Sequence, residues 1–185
     1  GSFEPRKLSN KDAERFENKY LFYAVRDKEN FKNKNISIFG GGDSALDWAL
    51  ELSKFSNISL IHRRDEFRGA PHTLAEIKKL ENKGKISIKT PSQLDSIEGE
   101  KKINSITIKF DDGKKEKIKT DIILSFFGLV MKLGPIAEWG LNMNKKTIDV
   151  NSKNFETNKK GIFAAGDICS YPGKLKLILS GFHEV

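Results

Sequence analysis

The sequence is poor in sulfur and in long apolar runs: its 185 residues hold one cysteine, Cys169, and two methionines. A single thiol excludes an intrachain disulfide, a Cys-x-x-Cys redox pair and a cysteine-built zinc site within these residues. The longest near-apolar stretch, Ile122 to Met131, is interrupted by Ser125 and Gly128. It is too short to span a bilayer, so no membrane helix is expected. No basic, apolar and small-residue succession of a secretory leader opens the chain, Gly1-Ser2 reads as an expression scar, and the cytoplasm is the expected compartment.

What is present suits a folded core. The chain is 37% apolar and 31% charged, with thirteen Phe spread along it. Thirty-three Lys and Arg against 25 Asp and Glu give a net charge of +8. The lysines come as scattered pairs, such as Lys101-Lys102 and Lys145-Lys146, and read first as a solvated surface. No nucleic-acid recognition motif with interleaved aromatics accompanies them, so nucleic acid is not an expected partner.

Residues 1–35 are polar and lack a clear period, whereas from Ile36 onward short β-branched runs alternate with helical patterns, as in α/β folds. Ile36 to Phe39 ends in three glycines, and the following segment places Ala45, Leu46, Ala49 and Leu52 on one helical face. A second apolar run, Ile58 to Ile61, is followed by Pro71, a helix with Leu74, Ile77 and Leu80 inward, Gly84 past its end and a third strand at Ile86 to Ile88. Around Asp112-Gly113 the alternation of Ile106, Ile108 and Phe110 predicts an antiparallel hairpin or meander over residues 103–119. Asp121 to Phe127 reads as a buried strand and Gly128 to Leu133 as a loop at a domain boundary. A short helix at Pro135 to Trp139, strands at Thr147 to Val150 and Gly161 to Ala165, and a final helical stretch complete the expectation.

The centre of the sequence is Gly40-Gly41-Gly42-Asp43-Ser44-Ala45, a G-x-G-x-x-A pattern between a strand and a helix. Gly40 permits the tight turn, Gly42 lets a pyrophosphate approach the backbone, and a small Ala45 lets the helix pack close to the strand. Amides at the helix start, at Asp43 and Ser44, would hold the phosphates. Trp48 and Ala49 read as core. About twenty positions on, where an acidic residue would select NAD through its ribose hydroxyl, the chain has His62-Arg63-Arg64 and then Arg68. Guanidinium forks suit a 2′-phosphate, so NADP(H) is favoured over NAD(H). His62 alone is weak evidence, because a histidine at a strand end is often simply packed.

These residues carry a resemblance. Gly40 to Ala45, the pattern His62-Arg63-Arg64 with Arg68, and Gly161-Ile162-Phe163-Ala164-Ala165-Gly166-Asp167 together resemble the thioredoxin-reductase fold group of two-dinucleotide flavoproteins. Within it, Phe3 to Lys7, Lys132 to Pro135, Glu138 to Leu141 and Tyr171 to Leu175 resemble the ferredoxin (flavodoxin) NADP(H) reductases of thioredoxin-reductase type. The resemblance implies a Rossmann-like FAD/NAD(P)-binding α/β fold with an antiparallel meander and part of a second such domain. It implies NADPH passing hydride to FAD and electrons leaving to an acidic carrier, ferredoxin or flavodoxin, and it leaves a homodimer of the parent open. Phe3 and Asp167 would contact FAD, with the helix after Asp167 near its isoalloxazine ring. Thioredoxin reductases carry their cysteine pair where this chain has Tyr20 to Arg26, so the electron exit must differ.

The expected division is the end of a first FAD segment at 1–7, an NADP(H)-binding domain at 8–127 and an incomplete FAD segment at 128–185. With one glycine fingerprint, the chain is expected to be a fragment that does not turn over alone. Two other readings remain open, a thioredoxin-reductase-like flavoprotein without the cysteine pair and a non-catalytic NADPH-binding module. Cys169 is expected to be a small packed residue.

Overall fold

A computed structural model describes residues 2–185. The chain divides into two compact units, one of residues 5–128 and one of residues 129–185 with the N-terminal residues through Glu4. The chain opens with strand β1 (Ser2–Pro5). In the segment without sequence period, 3-10 turns at Glu14–Phe16 and Lys28–Phe31 each bury a phenylalanine, and between them lies the short strand β2 (Leu21–Phe22). Two residues are too few to register as a pattern.

The alternating region forms β3 (Asn35–Phe39), helix α1 (Asp43–Leu52), β4 (Asn57–Ile61), helix α2 (Pro71–Asn82) and β5 (Ile86–Lys89). An antiparallel meander follows, β6 (Ser92–Glu98), β7 (Ser105–Phe110) and β8 (Lys115–Lys119). The chain then returns to the first sheet as β9 (Ile122–Ser125). That sheet is parallel in every pairing, with order β2-β9-β3-β4-β5.

Three layers result. Ile36, Ile38, Ile58, Leu60 and Leu124 face one side of the sheet and join Ala45, Leu46, Ala49 and Leu52 of α1 and Ile77 of α2 in one core. Their neighbours along the strands, Phe39, Ile61 and Ile123, belong to a second core with Ile97, Ile106 and Ile108 of the meander and with Leu8, Phe16 and Leu21. The period of two in β3 and β9 thus places one set of side chains under the helices and the other under the meander. Trp48 is partly buried against the helical core.

In the other unit β10 (Leu129–Lys132) pairs with β1, so the residues read as a loop at 128–133 are largely strand. A 3-10 turn spans Gly134–Glu138. Strands β11 (Met143–Asn144), β12 (Thr147–Asp149) and β13 (Cys169–Ser170) form a small mixed sheet, and helix α3 covers Ile178–Glu184. The strand expected at Gly161 to Ala165 does not form. Its backbone serves turns instead, Ile162 donating to the Lys159 carbonyl and Ala164 to that of Phe155, with one isolated bridge from Phe163 to Glu156. Cys169 is buried in this unit's core with Leu141, Ile148 and Ala164. Ile178, Leu179 and Phe182 of α3 are exposed.

Candidate functional site

The carboxyl ends of β3, β4 and β9 open on one cavity, where parallel sheets with neighbours diverging from a central strand place their ligands. Gly40 follows β3 directly at φ +153°, and a Cβ there would lie 2.8 Å from the Phe126 carbonyl oxygen and 2.9 Å from the Ala45 Cβ. Glycine and alanine are thus required together: the first for the turn, the second for the close pass of α1. Around Gly42 the space is open, and α1 begins at Asp43 with no side chain capping its first turn. Amide donors at such a helix start favour an anion.

From β4 the chain enters the cavity as His62, Arg63 and Arg64, and Arg68 joins them. All three guanidinium side chains are exposed, and among the described residues no carboxylate pairs with any of them. His62 is half-buried, stacked on Phe67 with ring centroids 5.3 Å apart, and its Nε2 is buried without a hydrogen-bond partner. Burial lowers its pKa; a bond to the Glu66 carbonyl opposes this, and the three nearby arginines lower it further. At neutral pH the ring is therefore uncharged, and the positive charge at this end of the cavity belongs to the arginines.

Of the residues singled out from sequence, Gly40, Gly42, His62, Arg63, Arg64 and Arg68 share the cavity wall. Asp43 and Ser44 lie outside that wall, and the Asp43 carboxylate accepts the Ala70 amide at 2.7 Å. Arg6, Gln93 and Phe126 also line the cavity and were not anticipated. The ends of β9 and β6 bring Phe126 and Gln93 there, a consequence of strand order that no local motif announces.

In the second unit, Asp167 sits exposed in a 3-10 turn and its carboxylate takes no hydrogen bond or ion pair among the described residues. Phe3 is half exposed on β1. Beside Asp167 a buried cluster is centred on Glu184, whose carboxylate accepts from Gly166 N at 2.6 Å, Tyr171 Oη at 2.7 Å and Lys174 Nζ, with the Cys169 thiol at 3.4 Å. Burial would raise the Glu184 pKa, but the donors, Lys174 first, outweigh it and hold the carboxyl at about 2. Sequence reading passed over Glu184 because nothing local sets it apart from a surface carboxylate.

Residues 1–181 match the family described as pyridine nucleotide-disulphide oxidoreductase. The chain belongs to that family. Similar family proteins include the ferredoxin–NADP reductase of Pelagibacter ubique, 64% identical over 184 residues, and that of Beijerinckia indica, 50% identical over 186 residues. Each match covers 100% of this chain and 54% of the relative, so the chain spans about half the length of the curated relatives it matches. Among solved structures, the thioredoxin reductase of Lactococcus lactis in its FR conformation superposes with TM-score 0.84 at 28% identity, and that of T. acidophilum with 0.85 at 25%. Both cover 98% of this chain and 59% of the other. The Rossmann-like fold that the resemblance implies is therefore the fold of this chain. Among the described residues no helix is long and apolar enough to cross a membrane.

Proposed function

We infer that this chain is the NADP(H)-binding portion, followed by a segment of the FAD portion, of a flavoprotein oxidoreductase that passes hydride from NADPH to FAD and electrons on to ferredoxin or flavodoxin. The observation that carries the reading is the meeting of the Gly40–Gly42 turn with three unpaired guanidiniums in one cavity. Its volume, about 470 Å³, lies in the range of nucleotide and cofactor pockets. The fit is also chemical: open backbone at Gly42 faces where a pyrophosphate would lie, and Arg63, Arg64 and Arg68 offer forked donors for a terminal phosphate.

In this reading the chain's own residues bind and orient. The Gly40–Gly42 turn ahead of α1 holds the pyrophosphate, Arg63, Arg64 and Arg68 grip the 2′-phosphate, and uncharged His62 packs against the turn. Asp167 and Phe3, both exposed, would meet FAD in the whole protein. Bound NADPH would supply the hydride and FAD would divide its electrons for a one-electron carrier. The similarity to ferredoxin–NADP reductases supports ferredoxin as that carrier. The net charge of +8 fits an acidic carrier. A cytoplasmic setting belongs to the same proposal.

Calorimetric titration of the 185-residue chain with NADPH and NADH tests the reading. One well-placed charge-assisted contact contributes about 1.5–3 kcal/mol, so NADPH should bind about tenfold or more tighter. Equal affinities overturn it.

A further inference from the structure

The loop that carries the arginines is tied to the glycine turn at its far end. Arg68 N–H donates to the Gly41 carbonyl at 2.6 Å, and two residues on, Ala70 N–H donates to the Asp43 carboxylate at 2.7 Å. Gly69, between them, lies so close over α1 that a Cβ would come within 2.5 Å of Leu46 Cδ1 and 3.1 Å of Asp43 Oδ1. Ala70 is also the residue from which α2 starts, with Pro71 next and no side-chain cap of its own. One carboxylate thus stands at the first residue of α1 and holds the entry to α2. At its near end the loop is fixed by β4, where His62 N–H donates to Lys89 and Ser92 N–H to the His62 carbonyl.

We propose that Asp43 is a positioning residue for phosphate selectivity: by holding Ala70 against α1 it fixes where Arg63, Arg64 and Arg68 stand relative to the Gly40–Gly42 turn. The distance between pyrophosphate and 2′-phosphate is set by the nucleotide, so the two subsites must keep one spacing. Without Asp43 the far end keeps only the single Arg68-to-Gly41 bond, so the loop would sample more spacings and lose discrimination through conformational entropy. The acceptor oxygen, not the charge, is what the Ala70 amide needs. This inference rests on the NADP(H) reading above.

The test compares Asp43→Ala and Asp43→Asn in the 185-residue chain, titrated calorimetrically with NADP+ and NAD+, alongside hydrogen exchange of the Ala70 amide without ligand. In Asp43→Ala the ratio of NADP+ to NAD+ affinity should fall about tenfold and the Ala70 amide should exchange about tenfold faster. Asp43→Asn, which keeps an acceptor oxygen, should hold both within about twofold. If Asp43→Ala does not fold, Asp43→Ser takes its place, its shorter side chain stopping short of Ala70, with the same losses expected. An unchanged ratio, an equal loss of both nucleotides, an asparagine variant as impaired as alanine, or unaltered Ala70 exchange each overturns the proposal. If the unsubstituted chain itself shows no preference for NADP+, the functional reading fails, and the exchange measurement still decides whether Asp43 holds the loop.

Discussion

The carboxylate of Glu184 accepts the Gly166 amide at 2.6 Å and so joins the last turn of α3 to the turn that presents Asp167. Its side chain is shielded from solvent, and Lys174, its cationic partner, is nearly so.

Removing that charge should be costly. Glu184→Gln leaves the Lys174 ammonium buried without a counter-charge, and breaking a buried pair from one side costs about 3 kcal/mol. Denaturant unfolding of the variant against the unsubstituted chain, followed by circular dichroism, checks this. The sign with pH follows from a Glu184 carboxyl held at about 2, below the ordinary glutamate value of 4.5. The contribution is present in full above pH 4.5 and is lost as pH falls toward 2. Stability of the wild-type chain should therefore decline over that window, and the Glu184→Gln variant should decline less.

Gly41 is a different kind of constraint. A Cβ there would lie 2.4 Å from His62 Cε1 and Nε2, so Gly41→Ala forces the ring out of its stack with Phe67. Overpacking of this kind costs about 1–3 kcal/mol. Adding His62→Ala should recover much of the loss, and a double-mutant cycle of melting free energies reads the coupling directly. Strict additivity would mean that the two residues do not meet.

Arg63→Ala combined with Arg64→Ala should reduce the preference for NADPH over NADH about tenfold or more, with NADH binding nearly as before, because NADH lacks the phosphate. Parallel calorimetry with both nucleotides separates this from a general loss of binding.

On the proposed function, carrier reduction in the whole protein should slow as salt rises while NADPH oxidation by a small neutral acceptor barely changes. Opposite charge acts mainly on encounter, and screening sets in over roughly 8 Å at physiological salt. Matching salt profiles for the two activities would return the lysines to a role in solubility.

The sequence made the β3 to β5 region legible because glycine and proline punctuate apolar runs whose periods match their elements: Ala45, Leu46, Ala49 and Leu52 are the buried residues of α1. β6 was missed for a physical reason. A register shift between Leu94 and Ser96 breaks its alternation, so no period of two survives in Ser92–Glu98. Phe163 misled in the opposite way, lying in an apolar run that reads as strand yet standing exposed with only a single isolated bridge to Glu156. At the site, the arginines and glycines could be read because each type has a chemistry of its own. The roles of Asp43 and Glu184 could not, since each depends on an amide brought near by the fold, Ala70 and Gly166.

The position of β9 sets a timetable for synthesis. β9 lies between β2 and β3, and the Ser37 hydroxyl shares a buried hydrogen bond with Thr120 at 2.8 Å. As the chain leaves the ribosome, β3, β4 and β5 can pair in order of appearance, but β2 has no neighbour until Ile122–Ser125 emerges. At 5–20 residues per second the roughly 100 intervening residues take about 5–20 s. For most of that interval, once β3 has emerged, its β9-facing edge stands open, a template for strands of other nascent chains. A chain cut short before Ile122 never closes that edge and leaves Leu21–Phe22 with nothing to join.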